Sequence, residues 1–118
     1  MALTNARKKA ALDAGLASIA KVIWYKGTEG NEVEATEVAA TACTLKAATT
    51  ANPSVMANDG ALESAAASAG VTVTAFAFAI TDNTVYTTVN RLDSAVVLNT
   101  GGKITVVDEG LKEQLSHS

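Results

Sequence analysis

The stretch VTVTAFAFAI, residues 71–80, has the strongest alternation in the chain. Because successive side chains of a strand point to opposite faces, one face would carry Thr72, Thr74, Phe76, Phe78 and Ile80, and the other Val71, Val73, Ala75, Ala77 and Ala79. Neither row is as polar as a row that faces water. We therefore predict a strand with both faces covered, in which the row containing Phe76 and Phe78 fills the space between two sheets.

The N-terminal residues 1–19 have the spacing of a short helix. Thr4 or Asn5 can cap it, and Leu12, Leu16 and Ile19 fall on one face. Gly15 weakens the helix and favours an early end. We expect this helix to cover the Val73 row of the strand, since helices commonly cover one face of an antiparallel sheet. A neighbouring subunit is the alternative cover.

Further strands are predicted from runs of β-branched and aromatic residues at 21–27, 38–48 and 84–92. Asp93 and Ser94 would then cap a turn. The NTGG segment at 99–102 is typical of a hairpin between the apolar runs on its two sides. The final GLKEQL segment fits a strand or a helix, and we favour the strand. Turns are also expected at 27–30 and 81–83.

Residues 50–69 contain the only proline of the chain together with Gly60 and several Asn and Ser. We predict a long surface loop here, or a partly helical excursion at 60–68. A long loop in a small domain is often a contact element, so Pro53, Val55 and Met56 are candidate partner contacts. Short strands with turns between them and no alternating helices predict one mainly β domain over 1–118, an antiparallel sandwich or barrel with a short N-terminal helix.

Composition narrows the function classes. Nine Lys and Arg against twelve Asp and Glu give a net charge of -3, which argues against broad nucleic-acid binding. No run approaches the ~20 apolar residues of a membrane span, and no secretory signal begins the chain. Hydrophobic residues make up 48%, but aromatic residues only 4%, so the core should be thin and the protein is expected to associate with partners.

The residues offer no chemistry that we can assign. One cysteine, Cys43, and one histidine, His117, make neither a metal cluster nor a nucleophile–base pair. Asp108 and Glu109 fit a turn before Gly110 better than a carboxylate pair. We expect no enzyme, no cofactor and no metal. Cys43 is interpreted as a small buried apolar residue.

Two clusters are candidate partner contacts. Arg7, Lys8 and Lys9 lie in the first turns of the helix, as a solvated face or as a contact with an acidic partner. Trp24 and Tyr25 point to opposite faces of their strand, so one is expected in the core and the other exposed, where a large aromatic side chain favours an interface.

The order of these signals resembles a family of small structural proteins of tailed phages, labelled tail-fibre-like or head-decoration proteins. The similarity covers MALTNARKKAALDAG, GNEV, AATACTLKAAT, AGVTVTAFAFAITDNTVY and LNTGGKITVVDEGLKEQL, which is nearly the whole chain. Two departures are visible: EATEVAA replaces a glycine-rich segment after GNEV, and Ala75 stands where the family often has His.

The resemblance implies a non-enzymatic β-sandwich protein of the virion, made in the bacterial cytoplasm and present in many copies. We expect a head decoration or cement protein that contacts the major capsid protein or other virion subunits and forms a homo-oligomer, with a trimer as the working guess. A tail or tail-fibre-associated protein is the alternative. Neither role requires nucleic acid or a membrane as a partner. A small-ligand-binding β-domain is a third reading, which the few aromatic residues do not favour.

Overall fold

The computed structural model describes residues 4–51 and 53–115, although not the side chains of 114 and 115. It is mainly β, with antiparallel sheets and one short N-terminal helix, as the sequence predicts. The elements are α1 (Asn5–Gly15), β1 (Lys21–Lys26), β2 (Val33–Glu34), β3 (Thr41–Ala42), β4 (Ser54–Ala57), β5 (Leu62–Glu63), β6 (Val71–Ala79), β7 (Asn90–Leu98), β8 (Thr105–Val106) and β9 (Lys112–Leu115).

The strands form one large sheet and two small ladders. The large sheet has the order β2-β1-β6-β7, and β3 pairs with β1 at the end of β1 that β2 leaves free. The small ladders pair β4 with β9 and β5 with β8. The hydrophobic core joins side chains of the large sheet, such as Trp24 and Phe78, to Met56 of β4 and to Ile104 and Leu111 beside the small ladders. The arrangement is therefore sandwich-like, with the core between the two layers.

Helix α1 begins where the local signals place it but ends before the predicted limit at residue 19. The Thr4 side chain accepts a hydrogen bond from the Arg7 backbone N–H at 3.2 Å, which satisfies one of the unpaired donors of the first turn. The helix ends at Gly15, and Leu16 lies just beyond it. Leu12, Leu16 and Ile19 are all buried in the core. The helix packs against β4 and β9, however, and not over β6. The prediction that this helix covers the row of β6 that contains Val73 is therefore wrong.

Strand β6 is buried almost throughout, and residues of both expected rows reach the core. The core contains Val71 and Val73 of one row together with Phe76 and Phe78 of the other, and the predicted core position of the two phenylalanines is confirmed. The pairing with β7 shifts between Val73 and Ala75: Val73 pairs with Val96, whereas Ala75 pairs with Arg91, so the extra residues lie on β7.

The other face of β6 carries three alanines and is also covered by the chain itself. Ala75, Ala77 and Ala79 are fully buried, and Ile23, which pairs with Ala77, is 3% exposed. Val73 is buried in the core. No neighbouring subunit is therefore needed to cover β6.

Several predicted boundaries are wrong. The strand expected at 84–92 is instead β7 at Asn90–Leu98, so Asp93 and Ser94 lie within a strand rather than at a turn. The strand expected at 38–48 is only β3 and an isolated bridge at Leu45. The loop expected at 50–69 contains β4 and β5, and within its described part no helix occurs. The closing segment is a strand, β9, as favoured.

The NTGG segment forms a turn, but not the predicted hairpin. Gly101 has a φ of 85°, and the Gly102 N–H donates to the Asn99 carbonyl. The strands that flank this turn do not pair with each other, because β7 pairs with β6 and β8 pairs with β5. The turn therefore carries the chain from one layer of the sandwich to the other. The expected turns at 27–30 and 81–83 are present.

Candidate interaction surface

The three basic residues of the first helical turns have three different environments. Arg7 is exposed, and Lys9 forms an ion pair with Asp13 at 2.6 Å one turn later. Lys8 is 0% exposed, and its Nζ has no hydrogen-bond partner among the described residues. The prediction of a basic contact surface is therefore wrong for Lys8. Lys8 lies four residues before Leu12, which puts both side chains on the face that packs against β4 and β9.

Replacing Lys8 with methionine is expected to stabilise the fold. A buried ammonium group without a partner is costly, whereas a thioether of similar length suits a core. We expect the free energy of unfolding to rise by about 1–3 kcal/mol in chemical denaturation. Lys9→Met is the matched control, and it should bring no such gain because it removes the ion pair with Asp13. A Lys8→Met variant less stable than Lys9→Met would contradict the prediction.

Trp24 and Tyr25 divide as expected between the core and a more open face. Trp24 is 1% exposed, and its Nε1–H donates to the Thr41 hydroxyl at 2.9 Å. Trp24 is therefore a core residue and not an accessible contact. Tyr25 is half-buried, and burial together with the nearby Glu34 carboxylate raises the pKa of its hydroxyl. Only Tyr25 of this pair stays available to a partner.

The candidates in the 50–69 segment are only partly accessible. Pro53 is exposed and Val55 half-buried, but Met56 is 5% exposed and belongs to the core. Met56 is buried because β4 pairs with β9 and turns this side chain inward. The expectation that Met56 contacts a partner is therefore wrong. Pro53 and Val55 line a surface depression that also includes Lys46 and Lys112.

Ion pairs tie separate segments together. The Lys46 ammonium lies 2.8 Å from an Asp108 carboxylate oxygen and 3.2 Å from one of Glu109. Asp108 also accepts from the Gly60 backbone N–H, and these contacts lower the pKa of its carboxyl group. Asp108 and Glu109 lie in a turn, as the sequence predicts. Since they bind the same lysine, they link the chain after β3 to the turn between β8 and β9.

Three more carboxyl groups have a lowered pKa for the same reason. Asp13 binds Lys9, Glu32 binds Arg91 and Glu37 binds Lys26. In each case the largest cause is the hydrogen bond from the basic side chain. The Glu32–Arg91 pair ties the β1–β2 turn to β7 and the Glu37–Lys26 pair ties the segment after β2 to β1, whereas the Lys9–Asp13 pair lies within α1.

The lowered pKa values predict loss of stability in acid. A carboxyl group whose pKa is lower in the folded state stabilises the fold at pH values above its unfolded pKa, and this contribution is lost as the pH falls through the folded pKa. We expect the urea midpoint to be nearly constant from about pH 8 to 5 and to decline below about pH 4. The decline of the urea midpoint in acid should be smaller in Asp108→Asn than in the control Asp59→Asn, because Asp108→Asn removes a carboxyl group whose pKa the fold lowers. A midpoint that rises below pH 4 would contradict this.

A groove runs along the open edge of β7. One cleft of about 480 Å³ and a second of about 290 Å³ share Leu92, Asp93 and Gly110, so they form one depression, which we call the β7 groove. Its apolar part is lined by Trp24, Leu92, Val96, Ile104, Val106 and Leu111. Its charged part is lined by Asn90, Arg91, Asp93, Glu109, Lys112 and Glu113.

Exposed valines flank this groove and also mark the opposite edge of the sheet. Val97 follows the groove residue Val96 along β7 and is 74% exposed, and Val107 of the groove rim is 74% exposed as well. Val33 of β2, at the other edge of the same sheet, is 57% exposed. Exposed apolar side chains therefore lie at both edges of the large sheet, and the sequence reading did not single out any of the three.

The single cysteine lies in an unreactive setting. Cys43 is 4% exposed, as the sequence predicts, and burial raises the pKa of its thiol to about 11. Across residues 4–51 and 53–115, no group of three or more His, Cys, Asp or Glu side chains could hold a metal ion. His117 lies outside the described residues. Among the described elements, no helix has the length and hydrophobicity needed to cross a bilayer.

Comparison of the chain with protein-family models, curated proteins and solved structures finds no match. The resemblance to phage structural proteins therefore stays a prediction from the motifs of this sequence. The mainly β antiparallel fold is the part of that expectation which the structure confirms.

Proposed function

We propose that this protein is a non-enzymatic structural component of a tailed-phage virion, which decorates the head and stabilises the shell through contacts with neighbouring subunits. The sequence motifs quoted above support this assignment over nearly the whole chain. The structural observation that carries it is the presence of exposed valines at both edges of the large sheet, Val33 on one side and Val97 on the other.

A decoration protein needs contacts on more than one side, because it bridges subunits of a lattice. An exposed valine at each edge of a small sandwich suits that task, since each side chain is removed from water when a neighbour covers it. Each contact is weak alone. Many copies on one shell act together, so the stability of the particle exceeds that of any single contact.

The experiment is mass spectrometry of purified heads and purified tails from the phage that encodes the chain. We expect the protein in heads, in many copies. Particles that lack it should release their DNA at a lower temperature, and adding the purified protein back should restore the release temperature. Absence from heads would contradict the proposal. Presence in tails alone, with loss of host adsorption on deletion, would assign the alternative role instead.

A Val33→Asp, Val97→Asp double variant tests the structural basis of the role. Both side chains are largely exposed, so the variant is expected to fold with nearly unchanged stability. It should no longer restore the DNA-release temperature of deficient particles. Thr44→Asp, which replaces an exposed residue outside the strands of the large sheet, is the control and should restore it. If the double variant restored the DNA-release temperature fully, a role for these edges would be contradicted.

A further inference from the structure

The edge of β7 that faces away from β6 is open. β7 ends the strand order of the large sheet, and within the described part of the chain no strand pairs with its outer side. Unpaired backbone donors and acceptors at such an edge are a template for another strand. The register shift gives β7 three more residues than β6 between the pairs Val73–Val96 and Ala75–Arg91, and Asp93 lies in this extra part.

The groove beside this edge carries one acid and one base that lack an ion-pair partner among the described residues. Asp93 and Lys112 are both exposed, and both line the charged part of the β7 groove. The other charged groups there are already engaged: Arg91 pairs with Glu32, Glu109 with Lys46, and Glu113 accepts from Asn90. One unpaired charge of each sign makes the surface complementary to a second copy of itself.

The rim of the groove supplies a matching apolar feature. Val107 is 74% exposed beside the apolar part, whose lining includes Leu92 and Val96 of β7 together with Ile104 and Val106 of the β8 segment. A ridge next to a depression is the shape that a two-fold axis makes self-complementary, because each ridge then fills the depression of the other copy.

We propose that the β7 groove is a two-fold self-association site, in which Val107 of each copy enters the apolar part of the other and Asp93 of each copy pairs with Lys112 of the other. This inference rests on the proposed role as an assembling protein and names a second copy as the partner at one edge. The contact is isologous, so every interaction occurs twice. It leaves Val33, at the far edge, free for a different neighbour.

The first experiment measures the mass of the purified full chain by sedimentation. At concentrations on the order of 100 µM, a dimer with a Kd of about 10 µM contains roughly 80% of the chains, so we expect an average mass approaching twice the chain mass of 12.0 kDa. Val107→Asp should return the chain to the monomer mass, because a carboxylate in the apolar part of the groove loses its hydration. Val33→Asp, an equally drastic change at the opposite edge, should leave the dimer intact.

A charge exchange separates this pairing from a general effect of surface charge. Asp93→Lys places a lysine against Lys112 of the second copy and should raise the dimer Kd by about 10- to 100-fold. Lys112→Asp should do the same by placing two carboxylates together. The double variant Asp93→Lys, Lys112→Asp recreates the pair with its signs reversed and should recover most of the affinity.

Each outcome of these experiments either supports or overturns the proposed self-association site. A monomeric wild-type chain, a trimer, failure of the double exchange to recover affinity, or equal effects of Val33→Asp and Val107→Asp would each overturn the proposed site. Far-UV circular dichroism of every variant shows whether it is folded, and a conservative Val107→Thr replaces any Val107→Asp chain that is not. A protein found in heads that is monomeric in solution contradicts only this inference. A dimer that is absent from virions contradicts only the proposed function.

Discussion

Replacing Trp24 with alanine is expected to lower the free energy of unfolding by about 3–5 kcal/mol, which is a large fraction of the 5–15 kcal/mol typical of a small domain. Trp24 is the largest side chain buried in the core, and it is 1% exposed. With aromatic residues at only 4% of the chain, few neighbours are large enough to fill the cavity it would leave. Equilibrium denaturation followed by circular dichroism measures the loss.

A second pair of variants separates the packing of Trp24 from its hydrogen bond. Trp24→Phe keeps much of the apolar volume but leaves the buried Thr41 hydroxyl without its donor. Adding Thr41→Val removes that unsatisfied group, so the double variant should be more stable than Trp24→Phe alone by about 1 kcal/mol. Thr44→Val, at an exposed position on the same segment, is the control and should not recover stability. A Trp24→Ala chain with wild-type stability would refute the assignment of Trp24 to the core.

The sequence predicts those features that depend on the conformational preferences of a few neighbouring residues, such as helix caps and glycine turns. The Thr4 cap follows from the preference of threonine for a helix N-terminus and is confirmed, whereas α1 ends at Gly15, before the predicted limit at residue 19. The β1–β2 turn follows from Gly27, whose φ of 106° suits glycine and whose missing Cβ would lie 2.7 Å from the Asn31 carbonyl oxygen. The mainly β, antiparallel class is confirmed for the same reason, because it depends on many such signals together.

Strand pairing was not predictable at this level, because partners are chosen by tertiary packing. The predicted turn at 99–102 is confirmed. The strands on its two sides do not pair with each other, however, because β7 pairs with β6 and β8 pairs with β5. The 50–69 segment has polar, turn-forming composition, but tertiary pairing with β9 and β8 makes strands of Ser54–Ala57 and Leu62–Glu63. Tertiary packing therefore overrides the local conformational preference of a segment where a short strand completes a layer of the sandwich.

The rows of β6 show where period-two reasoning succeeds and where it stops. Phe76 and Phe78 lie in the core as their spacing predicts, and Val71 and Val73 of the other row are buried there as well. The extra residues that β7 carries between its pairs with Val73 and Ala75 leave no signal in the sequence of β6. Alternation therefore predicts the burial of β6 but not the register of its partner strand.

The candidate contacts were predicted from residue type, and burial decides among them. The four-residue spacing between Lys8 and Leu12 already placed Lys8 on the buried face of α1, a signal that the run of three basic residues concealed. The exposed valines Val97 and Val107 carry no signal in sequence, because each lies in an apolar run that reads as core. Only the layering of the sheets reveals which member of each run faces outward.

The second large effect is expected at Asn58, a fully buried asparagine whose side chain makes three hydrogen bonds to the backbone. Its Nδ2 donates to the carbonyls of Gly60 at 2.7 Å and Val107 at 3.0 Å, and its Oδ1 accepts from the Leu111 N–H at 2.8 Å. The contacts to Val107 and Leu111 hold the two ends of the turn that joins β8 to β9. Asn58→Ala leaves the buried Leu111 N–H without an acceptor and removes one donor each from the Gly60 and Val107 carbonyls, of which Val107 keeps its bond from the Gly110 N–H.

We expect Asn58→Ala to cost about 2–4 kcal/mol, since the buried Leu111 N–H left without an acceptor costs about 1–3 kcal/mol and the loss of the two bonds to part-buried carbonyls adds about 1 kcal/mol. Asn58→Asp keeps the acceptor for Leu111 but replaces the donor with an oxygen facing two carbonyls, so it should destabilise the fold as well. Asn99→Ala, at an exposed turn, is the matched control and should change stability by less than about 0.5 kcal/mol.

Hydrogen exchange at single backbone amides identifies where Asn58 acts. In Asn58→Ala the Leu111 amide should lose its protection, because its acceptor is gone, and so should the Gly110 amide, which donates to the Val107 carbonyl that Asn58 holds. Amides of β1 and β6 exchange through global unfolding, so their protection should fall only by the loss of overall stability. Equal loss of protection throughout the chain would show that Asn58 stabilises the whole sandwich and does not fix this turn in particular.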